Sequence, residues 1–363
     1  MRPRVNTGFE VNVKVAIYNL HFATLGGGER RSALLAAHLC HWHDVTLFVH
    51  SPLNKSAIRE IFGIDLSKVM VVELDQKDHL AEVARVRPDI FINNSHGSQL
   101  PCIAPVGIYM CMFPEGEKFD LSSYDVITAN SNFTAKWLLK KWGYTSEVVY
   151  SACEFIGTGS KKEKIILNVA RFFEDNPSSH HKRQDVLIEA FRKLVDEYEQ
   201  DWQLHLVGNV GVSPGDQTFV EHLRFASERY PVQILTGLNF DLLRQEYRNA
   251  SIYWHATGFG SREDDRPSKQ EHFGMSIIEA MSAGAVPLAF DGGGPRESIR
   301  PGVNGYLWTS KDELIHHTRY LASNAARMEC MSAAAVEDSK QFGAGAFLAR
   351  MDAIIARLTS AQF

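Results

Sequence analysis

Residues 271–284, EHFGMSIIEAMSAG, carry two carboxylates, Glu271 and Glu279, eight positions apart, with Gly274 between them. Apolar residues recur at helical spacing from Gly274 to a stop at Gly284, and the apolar run Ala285–Phe290 follows. The order is therefore loop carboxylate, helix start, strand. A helix start offers a seat for an anion. The N–H groups of its first residues, here Gly274, Met275 and Ser276, lack intrahelical acceptors, and the helix dipole is positive at that end. Glu271 lies just ahead of the start, and Glu279 lies more than a turn inside, where its side chain can reach something beside the anion. A diphosphate flanked by sugar hydroxyls fits this description.

Upstream of the stretch the pattern alternates. Strands are expected at Ile165–Ala170, Trp202–Gly208, Val232–Thr236 and Ile252–His255, with helices at Asp185–Tyr198, Phe219–Arg229 and Asp241–Asn249. This is a Rossmann-like domain. Arg171 follows its first strand, and His180, His181, Lys182 and Arg183 precede its first helix. Cations beyond a strand end suit a departing diphosphate without a metal, although such a cluster read alone is also what a solvated charge run looks like. Glu263-Asp264-Asp265 has the paired acids of a divalent-cation site, but it sits in a polar loop and no metal is expected there. Base selection is expected to rest on backbone contacts around Gly208–Gly211 and Gly237.

The first half of the chain alternates in the same way. After about ten polar residues expected as a disordered arm, Val13–Leu20 reads as a buried strand, the loop His21–Gly28 ends in three glycines, and Glu29–Cys40 has helical periodicity. Strand, glycine loop and helix open a βαβ unit whose glycines let backbone N–H groups approach a ligand. GGGERR lacks the third glycine of the dinucleotide fingerprint, and no Gly-Lys-Ser/Thr follows, so neither a dehydrogenase nor a P-loop is indicated. Helices near Ser56–Phe62 and His79–Val86 alternate with strands at Val69–Val72, Asp89–Asn93, Val106–Met112, Asp125–Ala129 and Glu147–Tyr150. His96, after the strand ending at Asn93, is the best base or hydrogen-bond candidate of this half. Asn132–Trp142 is expected as a helix capped by Ser131, with Lys136, Lys140 and Lys141 beside Trp137 and Trp142. It is either an amphipathic helix with solvated lysines or a surface that rests on anionic lipid.

Glu154–Lys164 reads as an interdomain linker. The expected domains are 1–155 and 156–341, with 342–363 a C-terminal helix whose apolar face holds Phe347, Met351, Ile354, Ile355 and Leu358. At 363 residues two domains are the prior. With 45% hydrophobic and 22% charged residues and a formal charge of −5, the chain reads as an ordinary globular protein and not as a generic nucleic-acid binder. No apolar run approaches the ~18–20 residues that span a bilayer, and the start lacks the apolar core of a signal peptide, so a cytoplasmic place is expected. Cys40, Cys102, Cys111, Cys153 and Cys330 show no paired spacing and are expected as free thiols in a reducing compartment.

Taken together, Glu271–Glu279 with EAMSAGAVPLAFDGGGPRESI, GVNGYLW at 302–308, the GGGER loop, ANSNFTAKWL from Ala129, and ILNVARFF with HHKRQDVLIEAF carry a family resemblance. The chain resembles the retaining nucleotide-sugar glycosyltransferases of family 4 over nearly its whole length. The resemblance implies the GT-B fold: two Rossmann-like domains facing across a cleft, the first binding acceptor and the second nucleotide sugar, with the C-terminal helix crossing back to the first. It implies transfer of a hexose from a UDP- or GDP-sugar to a glycan or lipid-linked acceptor in cell-surface polysaccharide synthesis, without cofactor or metal. By the same resemblance, Glu271 would hold the transferred sugar, Glu279 the ribose, Arg171 and Lys182 the diphosphate, and Gly27 and Gly28 the loop over the phosphates. His96 is similar in position to a polar residue that contacts sugar or acceptor. Ala170 departs from the glycine that many members have before the arginine. The site's nucleophile is unassigned. Peripheral contact with the inner face of a membrane is a further expectation, resting on the Lys/Trp helix and the lipid-linked acceptors common in the family. Two other classes compete. An epimerase or hydrolase of the same fold would turn over donor without acceptor, and a non-catalytic nucleotide-sugar-binding subunit would have no need of a sugar-side acid.

Overall fold

In the computed structural model, which describes residues 12–74, 78–159, 161–176, 180–198 and 201–362, the chain divides into two α/β units. The polar arm expected at the N-terminus lies outside the described residues. The first unit comprises the described residues of Met1–Ala152 and Ala344–Phe363. Its strands are β1 (Lys14–Tyr18), β2 (Asp44–Val49), β3 (Met70–Glu73), β4 (Ile90–Asn93), β5 (Val106–Cys111), β6 (Val126–Ala129) and β7 (Glu147–Val148), in the order β3-β2-β1-β4-β5-β6-β7. Every pairing is parallel. Helices α1 (Gly27–Leu39), α2 (Lys55–Phe62), α3 (His79–Arg85) and α4 (Asn132–Trp142) intervene. A parallel sheet covered on both faces needs strands apolar on both faces. Accordingly β4 and β5 are buried at every residue.

The helix starts follow local hydrogen-bond chemistry. Asn54 accepts the N–H groups of Ser56 and Ala57, Asp78 that of Ala81, and Ser131 that of Thr134. Trp137 and Trp142 of α4 are buried, and the ammonium of Lys140 lies 4.4 Å from the Trp137 ring centroid. What α4 exposes is Asn132, Lys136, Leu139, Lys140 and Lys141, so the aromatic half of a lipid-facing surface is turned inward.

The second unit is Cys153–Gly343. Its strands are β8 (Glu163–Val169), β9 (Gln203–Val207), β10 (Val232–Leu235), β11 (Ala250–His255), β12 (Val286–Phe290) and β13 (Tyr306–Trp308), ordered β10-β9-β8-β11-β12-β13 and again all parallel. The helices are α5 (Gln184–Tyr198), α6 (Pro214–Ser227), α7 (Phe240–Asn249), α8 (Met275–Ser282), α9 (Pro295–Ser298), α10 (Lys311–Ala322) and α11 (Ala325–Ser339). Ile166, Phe191, Leu206, Trp254, Leu288 and Trp308 form the centre of its core. Glu163 and Lys164, expected in the linker, are the first residues of β8. In both units the strand order reverses beside the first strand, between β1 and β4 and between β8 and β11. Ligands of open α/β sheets bind outside the carboxyl ends of the strands at such points.

The last helix, α12 (Ala344–Gln362), belongs to the first unit and packs on α1 and β5, as expected of a GT-B chain. Phe347, Met351, Ile354 and Ile355 are buried, while Leu358 is half-buried.

Candidate functional site

The site of the second unit grows from Gly274. Its φ of 94° is left-handed, a conformation that L side chains rarely adopt, and a Cβ there would lie 2.8 Å from Ile277 Cδ1. Gly274 is therefore the residue before α8 and not its first turn, and the helix runs Met275–Ser282, shorter at both ends than its periodicity predicts. Ser276 Oγ accepts the Tyr253 hydroxyl at 2.8 Å, which fixes the first turn of α8 to β11.

Glu271 Oε2 accepts Lys182 Nζ at 2.9 Å and His255 Nε2 at 3.2 Å, and the side chain is 14% exposed. Burial pushes this carboxyl upward. The Lys182 ammonium and the His255 N–H outweigh burial and hold it well below the ordinary glutamate range. Thr257 Oγ1 lies 3.2 Å from the same His255 nitrogen. His180 stacks on His272 at 4.9 Å, and its Nε2 lies 2.8 Å from the Gln270 carbonyl. Burial first, then Lys182 and His272, keep His180 neutral. Its Nδ1, 3.4 Å from Lys182 Nζ, can therefore accept from the ammonium. Below the Glu271 loop, Gly294 N–H donates to Glu271 O at 2.8 Å, and a Cβ on Gly293 would lie 2.2 Å from that same carbonyl oxygen. The DGGGP turn is thus the floor of the Glu271 loop.

Glu279 Oε2 accepts the Tyr247 hydroxyl at 3.0 Å. Burial, then the Glu279 charge, drives the Tyr247 pKa far upward, so the phenol stays a donor. Lys162 binds the carbonyls of Ala250 and Ala283, each at 2.7 Å, joining β11 to the end of α8, and burial lowers its pKa to about 8.

The basic cluster is not a solvated run. His181 packs edge-on against Phe219 at 4.9 Å, Lys182 turns to Glu271, and Arg183 grips Asp185 with Nε and Nη2 and donates to the Phe259 carbonyl. Arg171 stands exposed past the end of β8, its carbonyl accepting Gln184 Nε2 at 3.1 Å. Gly208 has a packing reason to be glycine, since a Cβ would fall 1.9 Å from Ala170 O, and its N–H donates to Leu235 O. Of the acids 263–265, Glu263 pairs with Arg296 at 2.6 Å and Asp265 with Arg262 at 3.4 Å. Among the described residues no group of three His, Cys, Asp or Glu is placed to hold a metal ion.

In the first unit Gly27 and Gly28 are the first two residues of α1, earlier than the start expected at Glu29. Gly26 N–H donates to Glu29 Oε2 at 2.8 Å, and Gly28 O accepts Asn94 Nδ2 at 3.0 Å, so loop and β4 end meet. His96 is 38% exposed and lies 3.5 Å from Glu115. The second unit thus gathers Glu271, Lys182, Gly274, Met275, Ser276 and Glu279 around the start of α8, with Arg171 and Gly208 at the ends of β8 and β9. The first gathers Gly27, Gly28 and His96 near the ends of β1 and β4. His255, Tyr247 and Lys162 escaped the sequence reading, and His180 entered it only as one of a cluster of cations. The one signal for His255 was a polar residue closing a fully buried strand.

A family model described as "Glycosyl transferases group 1" matches residues 154–338, just over half of the chain. The GDP-Man:Man(3)GlcNAc(2)-PP-Dol alpha-1,2-mannosyltransferase of Mus musculus is 28% identical over 226 residues, 56% of this chain and 42% of that protein. The Alpha-1,3/1,6-mannosyltransferase ALG2 of Saccharomyces cerevisiae is 25% identical over 224 residues, 54% of this chain and 44% of that protein. The chain thus spans about two fifths of the length of the curated relatives it matches. Among solved structures, Anabaena HepE in complex with UDP has a TM-score of 0.72 at 17% identity, covering 95% of this chain and 100% of that one. Sucrose-phosphate synthase from Thermosynechococcus elongatus has a TM-score of 0.72 at 15% identity, covering 96% and 100%. At these identities the likeness establishes the GT-B fold. No helix among the described residues is long and apolar enough to cross a membrane.

Proposed function

This chain belongs to the group 1 glycosyl transferases, and from that premise we propose that it transfers a hexose from a nucleoside-diphosphate sugar to a lipid-linked glycan, with retention of configuration and without a metal. The observation that carries the reading is the buried Lys182–Glu271 pair at the left-handed entry to α8. Lys182 and Arg171 are assigned to the diphosphate, together with the Met275 and Ser276 N–H groups. Charge that develops on the leaving group is then met by donors already in place. Glu271, kept ionised, accepts from hydroxyls of the transferred sugar. Glu279, oriented by Tyr247, accepts from the ribose. The GDP-Man relatives make GDP-mannose the first donor to try, and their PP-Dol acceptors favour a lipid diphosphate-linked acceptor.

The test is a thermal-shift panel of UDP, GDP, ADP and their sugars, followed by transfer assays in chelator-treated buffer. A ligand at 100 times its Kd raises stability by about 2.7 kcal/mol, so the matching donor stands out. Glu271→Gln and Lys182→Ala are each expected to lower transfer by at least about 100-fold, the scale of losing one preorganised transition-state group. Full activity in both would remove these residues from the mechanism. Donor turnover without acceptor at comparable rates would favour an epimerase or hydrolase.

A further inference from the structure

Arg183 has a φ of 56°, one of three non-glycine residues in the left-handed region among those described. A costly backbone conformation persists only where its surroundings over-determine it, and such positions concentrate at functional sites. Here the surroundings are explicit. Arg183 Nε and Nη2 hold the two Asp185 carboxylate oxygens at 3.1 and 3.0 Å, and Nη1 donates to the Phe259 carbonyl. The guanidinium lies 5.7 Å from the Phe259 ring centroid. Gly260 makes room for it: a Cβ there would come within 2.9 Å of Nη1. The Arg183 carbonyl also accepts Val186 N–H at 3.1 Å and so starts α5.

These bonds tie together two segments that also meet at Glu271 and, through His180 and Ser261, at Gln270. One is the loop ahead of α5, whose Lys182 donates to Glu271 Oε2. The other is the turn after β11, where Thr257 contacts His255 and His255 contacts the same oxygen. Arg183 is covalently next to the first and hydrogen-bonded to the second. We propose that Arg183 is a positioning residue that holds Lys182 and His255 on Glu271 at the same time, by locking the loop before α5 onto the turn after β11. Lys182 reaches Glu271 while the next side chain, Arg183, reaches the Phe259 carbonyl. The proposal rests on the role given above to Glu271, but its test does not need transfer.

The charged and titratable groups facing Glu271 are Lys182 and His180 from the loop before α5, His255 and, further off, Tyr253 from β11, and His272 beside it. Releasing Lys182 and His255 together should therefore let the Glu271 carboxyl titrate closer to its ordinary range. The measurement is carbon-13 NMR titration of the glutamate-labelled 363-residue chain, with the Glu271 signal assigned by its loss in Glu271→Gln. Arg183→Gly keeps the backbone conformation accessible and deletes only the side-chain ties. It is expected to raise the Glu271 midpoint by at least about one pH unit, the lower end of what a neighbouring cation contributes. Where Arg183→Gly does not fold, Arg183→Asn carries the comparison, since asparagine also visits the left-handed region and lacks the guanidinium that reaches the Phe259 carbonyl. A midpoint that stays at the wild-type value in the folded variant, whatever happens to its melting temperature, overturns the proposal and leaves Arg183 a structural residue. No donor or acceptor is present in this experiment. A chain inactive toward every nucleotide sugar can still pass it, and a confirmed transferase can still fail it.

Discussion

Glu271 is ionised in a place where burial opposes ionisation, and the sign of its pH dependence follows. Its pKa in the folded chain lies well below the ordinary value of 4.5 that it regains on unfolding. The stability it contributes is therefore fully present above that ordinary value and is lost as pH falls through the folded one. Comparison of wild type with Glu271→Gln by urea unfolding between pH 7 and pH 3 should show a gap that is constant near neutrality and closes on the acid side. A gap independent of pH would mean that Lys182 and His255 do not hold the charge. At this scale the two acids were legible because their spacing against an apolar helix is a local pattern. Their partners were not. His255 lies 16 residues upstream of Glu271 and Tyr247 lies 32 upstream of Glu279, and such pairs exist only once β8, β11 and β12 have been laid side by side. The cluster 180–183 shows the same limit, since four adjacent polar residues point to four different partners.

At the scale of the element, α8 is defined by its entry as much as by its apolar face. Its periodicity predicts a helix from Gly274, but φ of 94° places Gly274 outside it. Periodicity reports which face is buried and is silent on the dihedral at the cap. For the same reason the start of α1 moved two residues toward the glycines, and β8 took Glu163 and Lys164 from the linker. The left-handed entry turns the chain so that the Glu271 loop rests on Gly293 and Gly294 while the Met275 and Ser276 N–H groups stay at the helix start. Gly274→Ala should cost about 1–2 kcal/mol for the left-handed residue. Part of the 2.8 Å approach to Ile277 Cδ1 can be relieved, because that atom ends a flexible side chain. Donor affinity should fall by more than the loss of stability alone implies if the start of α8 is the anion seat proposed above, because the turn that fixes it relaxes with the strain. The checks are the change in melting temperature beside the GDP- or UDP-induced shift; equal ligand shifts in wild type and variant would separate the cap from the site.

At the scale of the whole molecule, two parallel sheets were legible from alternation of strand and helix, whereas the return of the last helix to the first unit was implied by the family resemblance, since an apolar stripe needs a partner but does not say which. What the alternation cannot convey is how α12 is held. Two neighbours on that helix separate the possibilities. Met351 is fully buried, whereas Asp352 faces His38 of α1 at 2.9 Å with both side chains about a fifth exposed. Arg350 and Arg357 add ion pairs to Glu147 in a similar half-wet setting. Pairs of this kind are worth about 1 kcal/mol or less, whereas truncating a buried methionine costs about 2–5 kcal/mol through lost transfer energy and the cavity left behind. If packing and not charge returns the chain to the first unit, Met351→Ala should speed hydrogen exchange of the β1 and β5 amides by tenfold or more, since each 1.4 kcal/mol is a factor of ten, and Asp352→Ala should change it by less than about tenfold. The amides of β8 and β11 should be unaffected in both, because those strands belong to the other core. The reverse ranking, with Asp352→Ala the more damaging, would mean that α12 is an electrostatic clasp whose hold weakens with salt.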